Sequence, residues 1–599
     1  MKLWFDFPSS AASERTRAIR RRSLLLAVIG IAVLPLAWRG PSCGQDFDFH
    51  LQNWIELAQS WHQGVFYPHW VASANYGTGE PRFVFYPPFP RFLGAALGLI
   101  LPRSWTPLAF TGIALFGAGF SLRAMAREWI TEDSATLAAC LYVVNPYMMF
   151  VVYERGALAE LLAATWIPLL VLYGLRRKPS IVPLALTVAA LWLTNAPAGV
   201  MGTYALAIVV FVAALQEREG RLAARATAAV ALGLGLAGFW LIPALYEQRW
   251  VEIARATGPL MRVEDSFFFG FSRLSSLASP VSSEDRFNLM YHNQVLLVAS
   301  WIVLALLVAT AVAAWFSRAC LSGKNRKPLW LPLVVLSAVV CILQFPWSDL
   351  LWRITPELRF LQFPWRWMLV LGMTFAVLAG MASDLMASFS ASTRASIAVR
   401  AVLILLLACG ISAWASLSLR QHCDAEDNVA AQVATFHYGG FEGTDEYTPR
   451  GVNNSLIQRG LPLVRVLATP NAQASAEEDN SSWSADPATQ VPAQIAITRW
   501  QSESIVARIE APRPAWAVLR LLDYPAWRAV RDGTEIQNRP QRTDGLMVIP
   551  LREGINQVEI HWRATGDQRV GFIFSLIAVA VTLALAFAGR WNAQKVPLP

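Results

Sequence analysis

Apolar runs of about 20 residues recur along this chain, and no other feature limits its fold so strongly. A run of that length crosses a bilayer as a helix, because in hydrocarbon every backbone N–H and C=O must find its partner within the segment. A sequence with many such runs is predicted to fold as a helical bundle in a membrane. Composition agrees. Of 599 residues, 55% are hydrophobic and 15% charged, and the mean hydropathy is +0.39. A soluble domain carries about 25% charged residues. An ordinary cytosolic enzyme, a disordered chain and a collagen-like fibre are thereby excluded. The net charge of +9 would suit nucleic acid, but the basic residues mostly flank apolar runs, where they set topology.

Positive charge predicts the sidedness. The cluster Arg15, Arg17, Arg20, Arg21 and Arg22 precedes the first run and is expected in the cytoplasm. No small-residue cleavage site follows, so this run reads as an uncleaved helix. The pattern then predicts about twelve spans, at roughly 23–38, 105–125, 134–153, 157–175, 181–195, 198–215, 224–246, 294–316, 329–346, 367–387, 401–419 and 570–589, with both termini inside. All five lysines (Lys2, Lys178, Lys324, Lys327 and Lys595) then fall inside and all seven histidines outside. The apolar segment 88–102 would invert everything downstream if it crossed. It reads as a juxtamembrane helix on the outer surface between Pro88 and Pro102, with a short span as the alternative.

The expected organisation is a transmembrane module at 1–419 with a long first outer loop at 39–104, an outer domain at 420–569, and a last span with a cytoplasmic tail at 570–599. Further outer loops are expected at 247–293 and 347–366. The outer domain shows period-2 patterns at Ser504–Ile509 and Gln557–Trp562, punctuated by Asp532-Gly533, Asp544-Gly545 and Glu553-Gly554, which predicts a small β-sandwich. Residues 471–490 are polar and low in complexity and read as a loop. The six cysteines form no CxxC, and histidine and cysteine do not cluster at zinc spacing. Cys140, Cys341 and Cys409 lie in apolar runs and read as small hydrophobes.

Four segments carry candidate chemistry. The first is Gly44-Gln45-Asp46-Phe47-Asp48-Phe49-His50, directly after the first span. A carboxylate there deprotonates a hydroxyl or holds a divalent metal against a phosphate; a solvated acidic loop is the bland reading. The same loop continues through Asn75 to Pro88, with Arg82 and Tyr86; its aromatics pack on sugar rings or anchor the loop among headgroups. The second is Tyr153 to Glu160. Glu160 is expected about one turn inside the outer face with Arg155 as partner, serving function or simply fixing two helices. The third is Gln362-Phe363-Pro364-Trp365-Arg366, where Arg366 offers a planar fork for phosphate or snorkels. The fourth is Gly443 to Arg450, with Glu446 and Tyr447.

In this order the motifs resemble the bacterial YfhO-like membrane proteins, a family also labelled 6-pyruvoyl-tetrahydropterin synthase-related. The resemblance runs through Gly44, Asp46 and His50, the Asn75–Pro88 segment, Arg155-Gly156 with Glu160, Gln362 to Arg366, Asp445-Glu446-Tyr447, and Tyr524-Pro525-Ala526-Trp527 with Asp532-Gly533. That family looks like part of the GT-C superfamily of integral membrane glycosyltransferases. It implies a GT-C-like module, a polyprenyl-phosphate sugar donor, transfer with inversion on the outer face of the bacterial cytoplasmic membrane, and a glycan, lipid or protein acceptor. Asp46 falls on the position of the usual catalytic acid residue. Asp48 is an extra carboxylate, and an Asp46–Asp48 site for Mg or Mn stays open. The pterin label implies nothing here, since that chemistry uses a three-histidine zinc site.

The expected catalytic set is therefore Asp46, Asp48 and His50. Arg82, Tyr86, Arg155, Glu160, Gln362, Arg366, Glu446 and Tyr447 are expected to bind donor phosphate or substrate. The rival readings are a lipid or polysaccharide transporter, suggested by the many spans and by polar Asn145 and Asn195, and a non-catalytic membrane scaffold that binds glycans through 420–569.

Overall fold

The computed structural model describes residues 10–176, 181–271, 282–321, 328–389, 394–470 and 489–594. The five lysines, Arg177 and nearly all of the predicted loop 471–490 lie outside the described residues. Among the described residues, nine helices are long and apolar enough to cross a membrane: Glu14–Arg39, Arg103–Ala126, Glu132–Arg155, Leu158–Leu175, Ala196–Glu217, Asp285–Phe316, Pro364–Met386, Val399–Ser418 and Gly566–Ala588. Two more apolar pairs are bent, Gly220–Leu236 with Gly238–Trp250 by 76° and Trp330–Ile342 with Pro346–Ile354 by 101°; counted once each they bring the total to 11. The protein is a multi-pass membrane protein.

The expected span at 181–195 is instead the 14-residue helix Ile181–Thr194. At 1.5 Å per residue it reaches about 21 Å, short of a core of about 30 Å. Asn195 ends it and caps the next helix by accepting from the Ala198 N–H. Pro88–Ile100 is a 13-residue helix packed against Phe47–His62. The approach is so close that a Cβ on Gly94 would stand 2.2 Å from the Trp54 ring.

The bend after Leu236 frees backbone groups inside the bilayer. Ser575 of the last helix takes them up, accepting from the Phe239 N–H at 2.8 Å and donating to the Gly235 carbonyl at 3.0 Å. A hydroxyl in that position compensates the broken ladder without water.

Segments expected on one side of the membrane meet one another. Arg21 pairs with Asp133 at 2.6 Å and Arg176 with Glu128 at 2.8 Å on one side. On the other, Arg155 meets Asp46, Glu247 accepts from Tyr524, and Gln362 donates to the Ala256 carbonyl. The second side carries the β domain.

Among the described residues that domain holds eight strands: β1 (Val464–Leu467), β2 (Gln494–Gln501), β3 (Ser504–Ala511), β4 (Ala515–Leu522), β5 (Trp527–Arg531), β6 (Thr534–Glu535), β7 (Leu546–Leu551) and β8 (Gly554–Trp562). They form two antiparallel sheets, β1-β4-β7 and β2-β3-β8-β5-β6. The inward residues of both, such as Ala507 and Ile560 from one and Ala517 and Val548 from the other, share a single apolar core. The two strands read from the sequence pair with each other, Ser504 opposite His561 and Val506 opposite Glu559. Asp532 and Gly533, both at positive φ, make the two-residue turn between β5 and β6. The sandwich rests on the first loop. The His69 N–H donates to Glu503 at 2.7 Å, and Trp70 packs edge-on to Trp527.

Candidate active site

Three chain segments that are far apart in sequence close around Asp46. The helix Glu132–Val143 stops at Asn145, whose side chain accepts from the Tyr147 and Met148 N–H groups and restarts the chain as a short helix. That helix runs into a π-helical turn, Val151–Arg155, ended by Gly156 at φ +61. Such turns recur at functional sites because they re-aim side chains. Here the turn brings the Arg155 carbonyl to the Asp46 N–H at 2.9 Å. A Cβ on Gly44 would stand 2.2 Å from the Glu154 carbonyl oxygen, so only glycine permits this approach. The third segment follows Val399–Ser418. Gln421 donates to Ser42, and a disulfide joins Cys43 to Cys423.

Arg155 is buried and carries the electrostatics of the site. It donates to Asp46 Oδ2 at 3.0 Å and to Glu160 Oε2 at 2.6 Å. Its guanidinium also lies 5.0 Å from the Trp365 ring centroid. Tyr147 donates to the other Glu160 oxygen. Arg366 approaches Glu160 at 3.7 Å and donates to the Leu361 carbonyl. The Arg155 side chain is 2% exposed, whereas that of Asp46 is 38% exposed. A buried cation thus holds a carboxylate at the surface, and among the described residues Asp46 Oδ1 has no hydrogen-bond partner.

Tyr86 sits in the middle of these groups. Burial pushes its hydroxyl well above the usual range; Asp46 adds to the shift, and Arg366, Arg82 and Arg155 oppose it. Its ring packs on Phe49 at 4.8 Å. Its hydroxyl stays protonated and is available as a donor.

Several expected residues have partners of their own within the fold. His50 is buried, stacks on Trp54 and lies 3.5 Å from the Ala159 N–H. Burial lowers its pKa to about 4, so it is neutral at neutral pH. Arg82 is not free for phosphate. It pairs with buried Glu80, donates to Asn53 and Thr444, and stacks on Phe49 at 4.4 Å. It fastens the first loop to the strand of chain that enters the β domain. Gln362, at φ +65, turns its amide away to the Ala256 carbonyl at 2.6 Å. Arg155 gives two of its nitrogens to carboxylates, whereas Arg366 donates to a backbone carbonyl and only approaches Glu160; the Nε of each has no hydrogen-bond partner among the described residues, and both charges bear on Tyr86.

Asp48 lies two residues beyond Asp46, where a helix turns side chains apart. It accepts its own Phe49 N–H at 2.7 Å and faces a neighbouring cleft. Burial raises its pKa, with Asp46 and Asp427 contributing. Asp46 points to Arg155, whereas Asp48 lines the cleft. Among the described residues, no three His, Cys, Asp or Glu side chains are placed to hold a metal. Glu446 and Tyr447 adjoin Arg82. Burial pushes the Glu446 carboxyl up to about 7, with the Glu80 charge adding and Arg82 opposing. Tyr447 stacks on Phe85, ring centroids 5.5 Å apart.

The Cys43–Cys423 disulfide escaped the sequence reading. The signal was present: these are the two cysteines of the six that fall outside apolar runs on the expected outer side. Ser42, whose hydroxyl bridges Tyr153 and Gln421, carried no such signal.

Residues 83–418, more than half of the chain, match the family described as the 6-pyruvoyl-tetrahydropterin synthase related domain, a membrane protein. The chain belongs to this family. The matched region of the 6-pyruvoyl-tetrahydropterin synthase-related chain includes Arg155, Glu160 and Arg366 but begins after Asp46 and ends before the β domain. Among curated proteins, none matches it. Solved structures similar to it include the arabinofuranosyltransferase AftD from Mycobacteria, at 18% identity over 67% of this chain and 27% of that one, with a TM-score of 0.41. The Archaeoglobus fulgidus oligosaccharyltransferase is similar at 15% identity over 70% of this chain and 53% of that one, TM-score 0.28. ArnT from Cupriavidus metallidurans bound to undecaprenyl phosphate is similar at 13% identity over 63% and 79%, TM-score 0.27. The chain thus spans 27% of the length of AftD.

Proposed function

We propose that this protein is an integral membrane glycosyltransferase that moves a sugar from a polyprenyl-phosphate donor to an acceptor hydroxyl on the outer face of the bacterial cytoplasmic membrane. The observation that carries this reading is the Asp46 carboxylate, half-exposed at the end of the first span and held there by Arg155. A lipid-phosphate sugar presents its reactive carbon at headgroup depth, so its catalytic base must stand at the end of a span. The Cys43–Cys423 disulfide supports the sidedness, because such bonds persist in oxidising compartments.

In the proposed step the acceptor oxygen attacks the anomeric carbon from the face opposite the phosphate. The carbon–oxygen bond to phosphate breaks, and polyprenyl phosphate leaves with the electron pair. The acceptor proton passes to Asp46 Oδ1 as the new bond forms, which a weak base accomplishes when transfer is late. Arg366 and the Tyr86 hydroxyl stand where charge develops on the departing phosphate. A single displacement of this kind inverts the anomeric centre.

The two polar residues that suggested a transporter have structural partners. Asn145 and Asn195 are helix caps, and the bend after Leu236 is sealed by Ser575 rather than lining a cavity.

Cells producing Asp46→Asn in place of the wild-type protein test the reading through their glycolipids and envelope polymers. Transfer is expected to fall on the order of 10²–10⁴-fold, with the protein folded and the disulfide intact. Asp48→Asn is expected to cost less, and chelation nothing. Unchanged glycans with Asp46→Asn overturn the assignment.

A further inference from the structure

A cleft of about 850 Å³ opens beside Asp46 on the domain-bearing side, within the range of sites that hold small organic ligands. One wall is the helix Phe47–His62, through Asp48, Phe49 and Gln52. The other is the strap 425–445, which leads into the β domain. The strap is stitched to the first loop. The Tyr76 N–H donates to the Phe441 carbonyl and the Phe441 N–H to the Ser73 carbonyl, at 2.9 and 3.0 Å. The Thr444 N–H donates to Glu80 at 2.8 Å. A Cβ on Gly440 would stand 2.1 Å from the Ser73 oxygen, and one on Gly443 2.1 Å from Asn75. The cleft is therefore preformed by the fold.

Its inner end adjoins the candidate site. Phe49 lines it and packs on Tyr86, and Asp48 lies within the field of Asp46. Its lining carries five carboxylates, Asp48, Glu426, Asp427, Glu442 and Asp445, against two guanidiniums. Arg82 is paired with Glu80, whereas Arg459 lies 4.8 Å over the Tyr76 ring, donates to its hydroxyl and keeps its charge. Carboxylates still outnumber cations on the lining. Tyr438, 88% exposed, presents a bare ring at the mouth.

Carboxylate oxygens accept hydrogen bonds from sugar hydroxyls, and aromatic rings cover the apolar face of a pyranose or furanose. The same carboxylates outnumber the cations of the lining and repel a phosphodiester or uronic-acid chain. We propose that this cleft is the acceptor subsite and that it takes an uncharged glycan chain, not a polyanionic one. The assignment of an acceptor rests on the glycosyltransferase reading above; the binding of uncharged glycan does not.

The test uses the full-length protein in nanodiscs on a printed array. The array carries uncharged oligosaccharides of mannose, glucose, galactose, arabinose and N-acetylglucosamine beside glycerol-phosphate and uronic-acid oligomers. Binding is expected to at least one uncharged oligosaccharide and to neither anionic class. Tyr438→Ala is expected to weaken it about tenfold, the worth of one aromatic contact. Glu426→Arg is expected to admit the glycerol-phosphate oligomers. Asp46→Asn is expected to bind as wild type. Binding confined to anionic oligomers, binding to nothing, or binding indifferent to both cleft substitutions overturns the proposal. Uncharged-glycan binding without any Asp46-dependent transfer in cells sinks the transferase reading and leaves a glycan-binding cleft. Asp46-dependent transfer without that binding sinks the cleft assignment alone.

Discussion

Asp46 and Arg155 are joined twice. Their side chains meet at 3.0 Å, and the Asp46 N–H donates to the Arg155 carbonyl at 2.9 Å. The first contact depends on charge and the second does not. Removing the charge of Asp46 therefore leaves the loop in place, whereas removing Arg155 strips the compensation from a buried carboxylate.

Arg155→Leu is expected to destabilise the protein by about 3–5 kcal/mol, the usual cost of breaking a buried pair from one side. Glu160 would keep only Tyr147 and the longer approach of Arg366. Thermal unfolding in detergent measures this, and the double variant Arg155→Leu with Glu160→Leu should recover much of the loss. A single variant as stable as wild type would mean that Glu160 does not depend on Arg155.

Arg366→Lys keeps the charge and the fold but loses the planar fork. Turnover is expected to drop about tenfold, because an ammonium cannot donate to two phosphate oxygens in fixed geometry. Rates within about twofold of wild type, in membranes supplied with donor lipid, would assign Arg366 to snorkelling.

The Cys43–Cys423 disulfide closes a loop with a sequence separation of 380. Cys43→Ser, Cys423→Ser or chemical reduction is expected to cost about 2–5 kcal/mol. Gel mobility with and without reductant, after alkylation of intact spheroplasts by an impermeant reagent, checks both the bond and its side. Thiols at 43 and 423 that stay unmodified after reduction would place this face in the cytoplasm.

Glu446 links stability to pH. Burial raises its folded pKa from 4.5 to about 7, so the folded state binds its proton more tightly than the unfolded state does. The stabilisation from that proton is fully present below about 4.5 and is lost as pH rises through about 7. Unfolding midpoints should fall across that window, and Glu446→Gln should flatten the fall. An identical pH profile in the variant would assign the dependence to other groups.

Length and periodicity of apolar runs were enough to identify the membrane-spanning helices, because a helix in hydrocarbon answers only to its own residues. Period-2 alternation at Ser504–Ile509 and Gln557–Trp562 likewise announced two strands that pair. The short helix Ile181–Thr194 shows where that reasoning stops: its apolarity is that of a span, but Asn195 caps its successor and cuts the length. The partners of the site residues were set by contacts across the chain. Asp46, Arg155 and Glu160 look alike as isolated polar residues. Arg82 and Arg366 also share a side chain and a neighbourhood of aromatics, yet Glu80 holds one guanidinium in a close ion pair, while the other lies 3.7 Å from Glu160 with its Nε lacking a hydrogen-bond partner. No local pattern encodes that difference. It arises from which carboxylate the folded backbone sets beside each cation, and in a low-dielectric interior that pairing decides which charge remains to meet a ligand.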